Sequence, residues 1–227
     1  MVANVQGMST SFKQDLFNGI HAFGTTVVRA GTGADVFKAA LFCVQQGLGV
    51  ASTVYGTSTM SAATCSINGT TLTVAGAVTG YITPGIMIAG AGVTVGTYIV
   101  AQLSGTAGAG TGATYTVSTA QTVAGPITIT SEGELVGTNY VDTGITITNG
   151  TLPTTSGTTA FWTPSANLVW SNLTSFGAFD SVMIYNSTAS NKNAVSIHTF
   201  GAQNVTAGTF TLTMPANAAG TALLNLA

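Results

Sequence analysis

The sequence predicts an all-β fold: an antiparallel β-sandwich opened by one short N-terminal helix, with a second small β domain inserted into it. Three observations predict this. Short runs rich in Val, Ile, Thr and aromatics recur along the chain, punctuated by Gly, Asn, Pro and Ser. Only a segment near the start has apolar residues at helical spacing. The composition shifts to uncharged Gly, Thr, Ala and Val near Ser58 and shifts back near Ser131, as it does at a domain boundary. The sandwich is therefore assigned to residues 1–57 and 131–227, and the inserted domain to residues 58–130.

The helix is predicted from Phe12, Leu16, Phe17 and Ile20, which recur on one face, with Ser11 and Gln14 spaced as a capping box. That face either covers the end of a sheet or docks on a neighbouring subunit as a partner-binding face. Strands of the sandwich are predicted over residues 25–29, 36–44, 145–148, 167–170, 181–185, 194–200 and 209–214. Phe210, Leu212 and Met214 alternate with Thr209, Thr211 and Thr213, which marks a strand with one face buried and one wet. Val182 and Ile184 alternate similarly, as do Val195, Ile197 and Thr199. In the inserted stretch, residues 64–67 and 71–74 flank Asn68-Gly69-Thr70, a hairpin in which Asn-Gly supplies the positive φ of a tight turn. Further strands are predicted over 86–88, 98–103, 114–117 and 127–130, and the Gly-rich run 104–112 as an exposed flexible loop.

Charged residues make up 4% of the chain, against about a quarter in ordinary soluble domains, so hydroxyls and amides must solvate the surface. No formal charge occurs between residues 39 and 131. Four basic residues and a net charge of -2 cannot neutralise a row of phosphates, so nucleic acid is not expected as a partner. Low charge weakens colloidal repulsion and favours association with self or with a partner. No apolar stretch approaches the roughly 18 residues of a spanning helix, and the first residues lack the pattern of a secretory signal. No membrane association is expected. Cys43 and Cys65 lie in apolar runs without His or acidic neighbours at ligand spacing, and are expected to be buried free thiols rather than a disulfide.

Candidate chemistry is sparse. Asp180, Ser181, Ser196 and His198 include the side-chain types of a hydrolytic triad, but no Gly-x-Ser-x-Gly elbow presents a nucleophile. His198 is opposite in phase to Val195 and Ile197, which predicts an exposed strand histidine. His21, just past the helix, is expected to cap its C-terminal end through the helix dipole. Glu132 and Glu134, with Asp142 nearby, form either the start of an oxygen-ligand cation site or a solvated strand edge; the spacing of a calcium loop is missing. Trp162 and Trp170, with Phe161, Phe176, Phe179 and Tyr185, either stack on sugar or pack between two sheets, and the core reading needs no ligand. No catalytic residue, cofactor or metal is expected, and the chain is read as non-enzymatic.

Several stretches resemble a family of small structural proteins of tailed bacteriophages. They are Phe37-Lys38-Ala39-Ala40-Leu41-Phe42, Gly133-Glu134-Leu135-Val136-Gly137-Thr138-Asn139-Tyr140, Ala160-Phe161-Trp162, Val169-Trp170-Ser171-Asn172, Ala178-Phe179-Asp180-Ser181-Val182-Met183-Ile184-Tyr185-Asn186-Ser187 and Thr209-Phe210-Thr211-Leu212-Thr213-Met214-Pro215. In shorter relatives the Tyr55 region runs almost directly into Gly133, so the insertion is a departure from the pattern. The inserted stretch is similar to small β modules of phage fibres, through Ile67-Asn68-Gly69-Thr70-Thr71-Leu72-Thr73-Val74, Gly90-Ala91-Gly92-Val93-Thr94, Thr114-Tyr115-Thr116-Val117-Ser118 and Gln121-Thr122-Val123. The resemblance implies a virion structural protein. The expected role is a capsid decoration or cement protein on the capsid exterior, binding the major capsid protein and itself; a homotrimer is expected by analogy with other decoration proteins. A tail or fibre component contacting the host cell is the alternative, and a carbohydrate-binding module a third reading.

Overall fold

A computed structural model describes residues 3–24, 34–108 and 110–226. The strand expected over 25–29 lies outside the described residues. With 49% strand and 3% helix the protein is all-β and sandwich-like. Strand β1 (Gly7–Met8) precedes helix α1 (Thr10–Phe17), and β2 (Phe37–Cys43) follows. Next come β3 (Met60–Val74), β4 (Val78–Thr79), β5 (Ala89–Gly90), β6 (Ile99–Ser104) and β7 (Thr114–Ser131). The chain continues through β8 (Gly137–Thr138), β9 (Ile145–Thr146), β10 (Thr154–Ser156), β11 (Thr159–Trp162) and β12 (Leu168–Ser175). It ends with β13 (Phe179–Asn186), β14 (Ala194–Gln203), β15 (Gly208–Leu212) and β16 (Leu224–Leu226).

A five-stranded antiparallel sheet in the order β1-β14-β13-β2-β9 forms the centre. Its strands β2 and β13 read as near-continuous apolar runs because both faces are buried. Phe37, Ala39, Leu41 and Cys43 of β2, with Val182 and Ile184 of β13, enter the larger apolar cluster. The intervening Ala40, Phe42, Met183 and Tyr185 enter a second, smaller one. The one-wet-face reading of residues 181–185 is thereby corrected: Leu48 and Tyr55, from the segment after β2, cover the face expected to meet water.

Two three-stranded sheets, β10-β11-β16 and β15-β12-β8, contribute Trp162, Leu224, Leu168, Trp170 and Leu173 to the larger cluster. Phe210 and Leu212 of β15 are half-buried against it while Thr209 and Thr211 stay exposed, as their alternation predicts. Phe12 of α1 is buried in the same cluster. The helix starts one residue before Ser11, at Thr10, and the residue preceding it, Ser9, makes no side-chain cap bond. Ser11 thus sits inside the first turn, its hydroxyl 3.0 Å from that of Ser9, and no capping box forms.

Strands β3 to β7 make a fourth sheet in the order β4-β3-β7-β5, with β6 also on β7. The hairpin expected at Asn68-Gly69 is absent. β3 runs straight through, pairing Asn68 with Thr122 and Gly69 with Gln121, and the positive φ of Gly69 (60°) falls beside a register shift instead of at a turn. Residues 86–88 form isolated bridges, Ile86 to Leu135 and Met87 to Tyr98, rather than a strand. The Gly-rich run is packed at its centre: Gly108 is buried against the Tyr81 ring, and its carbonyl accepts the Ile82 amide at 2.8 Å. The apolar residues of this sheet, among them Met60, Leu72, Tyr115 and Ile129, belong to the same continuous cluster as those of the central sheet.

The fourth sheet meets the rest of the molecule where Gly85 crosses Gly177. Val136 donates to the Gly85 carbonyl and Phe176 to the Val136 carbonyl, each at 3.0 Å, and Tyr98 stacks on Phe176 at 4.7 Å. A Cβ on Gly177 would lie 2.0 Å from the Pro84 carbonyl oxygen and 2.9 Å from the Gly85 Cα. Backbone, not a movable side chain, occupies that space. Gly177→Ala is therefore expected to lower stability by about 1–3 kcal/mol through overpacking, read as a lower urea midpoint at unchanged slope.

Candidate functional site

The main polar cluster is buried where the chain leaves the fourth sheet and rejoins the central one. Glu134 bridges backbone to Phe42 of β2 and is only 6% exposed. Its carboxylate accepts the Tyr140 hydroxyl at 2.6 Å and the Tyr55 hydroxyl through the other oxygen. The Tyr140 oxygen in turn accepts the Leu41 amide at 2.9 Å, so one carboxyl ties three segments together. Tyr55 stacks on Tyr185 at 4.2 Å, and the Lys192 ammonium lies 5.2 Å from the Tyr55 ring centre.

Burial pushes the Glu134 carboxyl up to about 7, against the lowering effect of the two tyrosine hydrogen bonds; Asp142 and Glu132 raise it further. Burial and the adjacent Glu134 push both Tyr55 and Tyr140 up, so the phenols remain donors. A cleft of about 320 Å³ opens beside the cluster, lined by Glu132, Glu134, Asp142 and the apolar Met87 and Leu135. Glu132 and Asp142 are exposed at its mouth. The two glutamates thus share a cleft but not an environment. Among the described residues, no group of three His, Cys, Asp or Glu is arranged to hold a metal.

The four triad-type residues fall on neighbouring strands without forming a relay. Asp180 and Ser181 accept from the Asn4 amide at 2.6 and 2.9 Å. Ser196 lies 2.9 Å from the His198 Nε2, with Ser196 only 2% exposed. The reading of His198 as exposed is corrected: it is half-buried, and burial pushes its imidazole down to about 4. Ile184 pairs with Ser196 and Tyr185 with Ala194, leaving Val195 as an extra residue. That bulge reverses the alternation, so His198 shares a face with Phe200, which packs on the larger cluster.

His21 is not a helix cap. Gly19 adopts a left-handed φ of 67° and turns the chain, and His21 is buried with its ring 5.1 Å from that of Phe12. Its Nε2 lies 3.6 Å from Asp15 Oδ2, and its Nδ1 lies 3.3 Å from the Asn186 amide. On the helix face, Phe12 and the half-buried Leu16 line an apolar cavity of about 250 Å³ with Phe23, Trp162 and Leu224. Phe17 ends the helix, and Ile20 offers its carbonyl to Asn186 at 2.9 Å.

Trp162 and Trp170 are each 2% exposed, which is core packing and not a sugar platform; Phe176 is the exposed ring of the aromatic group. Cys43 and Cys65 are buried and free. Tyr55 and Tyr140 escaped the sequence reading because both lie between predicted strands. The sequence signal is Glu134 itself, an acid followed directly by Leu135 and Val136. No protein-family model, curated protein or solved structure matches this chain.

Proposed function

We propose that this protein is a non-enzymatic structural component of a bacteriophage particle, a decoration or cement protein that binds the major capsid protein on the capsid exterior and associates with itself. The observation that carries the reading is the scarcity of surface charge. Of ten charged side chains, Asp15, Asp35 and Glu134 are buried, leaving at most seven over 10084 Å² of surface. A neutral, hydroxyl-rich β surface makes broad hydrogen-bonded contacts without desolvating ion pairs, which suits permanent assembly. The resemblance of the sandwich strands to phage structural proteins supports the same reading. It is tested by the copy number per purified particle, from quantitative mass spectrometry against the major capsid protein. A stoichiometry equal to that protein, or a simple fraction of it, is expected. A few copies per particle would instead assign the chain to the tail or a fibre.

A further inference from the structure

We infer that the outer edge of β15 is a self-association surface, on which a second copy of this chain adds its own β15 antiparallel across a two-fold axis. A free strand edge presents unpaired N–H and C=O groups, and proteins blunt such edges by shortness, bulges, Pro or charge. Nearly every edge strand of the described sheets is guarded in this way. β1, β4, β5, β8 and β9 are two residues long, and β10 and β16 three. β6 is longer, but its pairing with β7 is broken by register shifts at Val100 and Leu103.

β15 lacks all of these devices. It spans five residues at the edge of its sheet, and the irregularity in its pairing places the extra residue on β12, between Trp170 and Leu173. Pro215 comes only after the strand, and no Asp, Glu, Lys or Arg follows Lys192 anywhere in the chain. Among the described residues two further uncharged edges are partly open: β1 covers β14 only at Ser196 and Ile197, and β4 covers β3 only at Ser61 and Ala62.

The absence of charge selects the occupant. A charged partner edge would lose hydration here and gain no counter-charge, whereas a copy of the same edge meets a surface as neutral as itself. The alternation is also self-complementary. With Thr211 opposite Thr211 of the partner subunit, Phe210 faces Leu212 of the partner subunit and Thr209 faces Thr213 of the partner subunit. The hydroxyl row and the half-buried apolar row then both continue across the axis. Such a contact is isologous and gives a dimer, in place of the threefold arrangement expected by analogy.

The inference sharpens the self-association in the proposed function and does not need the capsid placement: copy number tests the one, solution mass the other. The experiment is sedimentation equilibrium of the purified full chain, beside a Thr209→Lys, Thr211→Lys variant. Both positions are exposed, and in the pair the charge introduced at position 211 would stand directly opposite its own copy. The wild type is expected to sediment as a dimer and the variant at half that mass, with an unchanged circular dichroism spectrum. Hydrogen exchange supplies a readout independent of the variant: amides of β15 should lose protection on dilution through the dissociation range. A monomeric or trimeric wild type, a dimer that survives both lysines, or β15 amides whose protection ignores dilution would each overturn the inference. So would protection gained only on mixing with capsid protein, which would give the edge to that partner.

Discussion

Truncating Phe179 to Ala should cost about 3–5 kcal/mol, the usual range for emptying a buried aromatic site. Phe179 is fully buried and stands edge-on to Phe210 at 5.0 Å and to Phe200 at 6.0 Å. It therefore joins three strands, β13, β14 and β15, and links the central sheet to the sheet packed over it. The backbone around it is pinned on both sides, by pairing with Cys43 of β2 and Gln203 of β14, so the cavity cannot collapse easily. A typical domain has only about 5–15 kcal/mol in hand, and the variant should unfold at a much lower urea concentration. Phe179→Leu keeps most of the volume and should lose less than half as much. Equal losses from the two variants would mean that the ring's geometry, and not its volume, carries the stabilisation.

How much of this was legible in the sequence depends on the range of the interaction. Runs rich in Val, Ile, Thr and aromatics located β2, β12, β13, β14 and β15, because strand propensity is written locally, while alternation gave the buried face correctly for β15. The one-residue bulge at Val195 was not legible, because an alternating sequence looks the same whichever strand residue is left unpaired; His198 was consequently placed on the wrong face. Asn68-Gly69 misled for a related reason. A positive φ satisfies a turn or a bulge equally well, and the choice belongs to β7, some fifty residues on in the chain. The tyrosine–carboxylate cluster depends on Tyr55, Glu134 and Tyr140 meeting across the length of the fourth sheet, and only Glu134 followed by Leu135 and Val136 hinted at it.

That cluster and His198 together give the last expected result: opposite pH dependences that nearly cancel in the wild type and separate in variants. The Glu134 carboxyl rises from 4.5 to about 7 on folding, so the native state binds its proton more tightly than the unfolded chain does. Its contribution is fully present below pH 4.5 and is lost as pH rises to about 7, at roughly 1.4 kcal/mol per pH unit and about 3 kcal/mol in all. His198 falls from 6.5 to about 4, so its neutral form is the native one. Its contribution is present above pH 6.5 and is lost as pH drops towards 4, by a similar amount with the opposite slope. Between pH 4.5 and 6.5 the two slopes offset each other. Glu134→Gln removes the first and should leave stability rising with pH across that window. His198→Gln removes the second and should leave it falling. Urea titrations at half-unit pH steps read the slopes directly, whatever each substitution does to the absolute level. If both variants keep the wild-type profile, neither side chain is buried as a titrating group, and the cluster holds its three segments together without sensing protons.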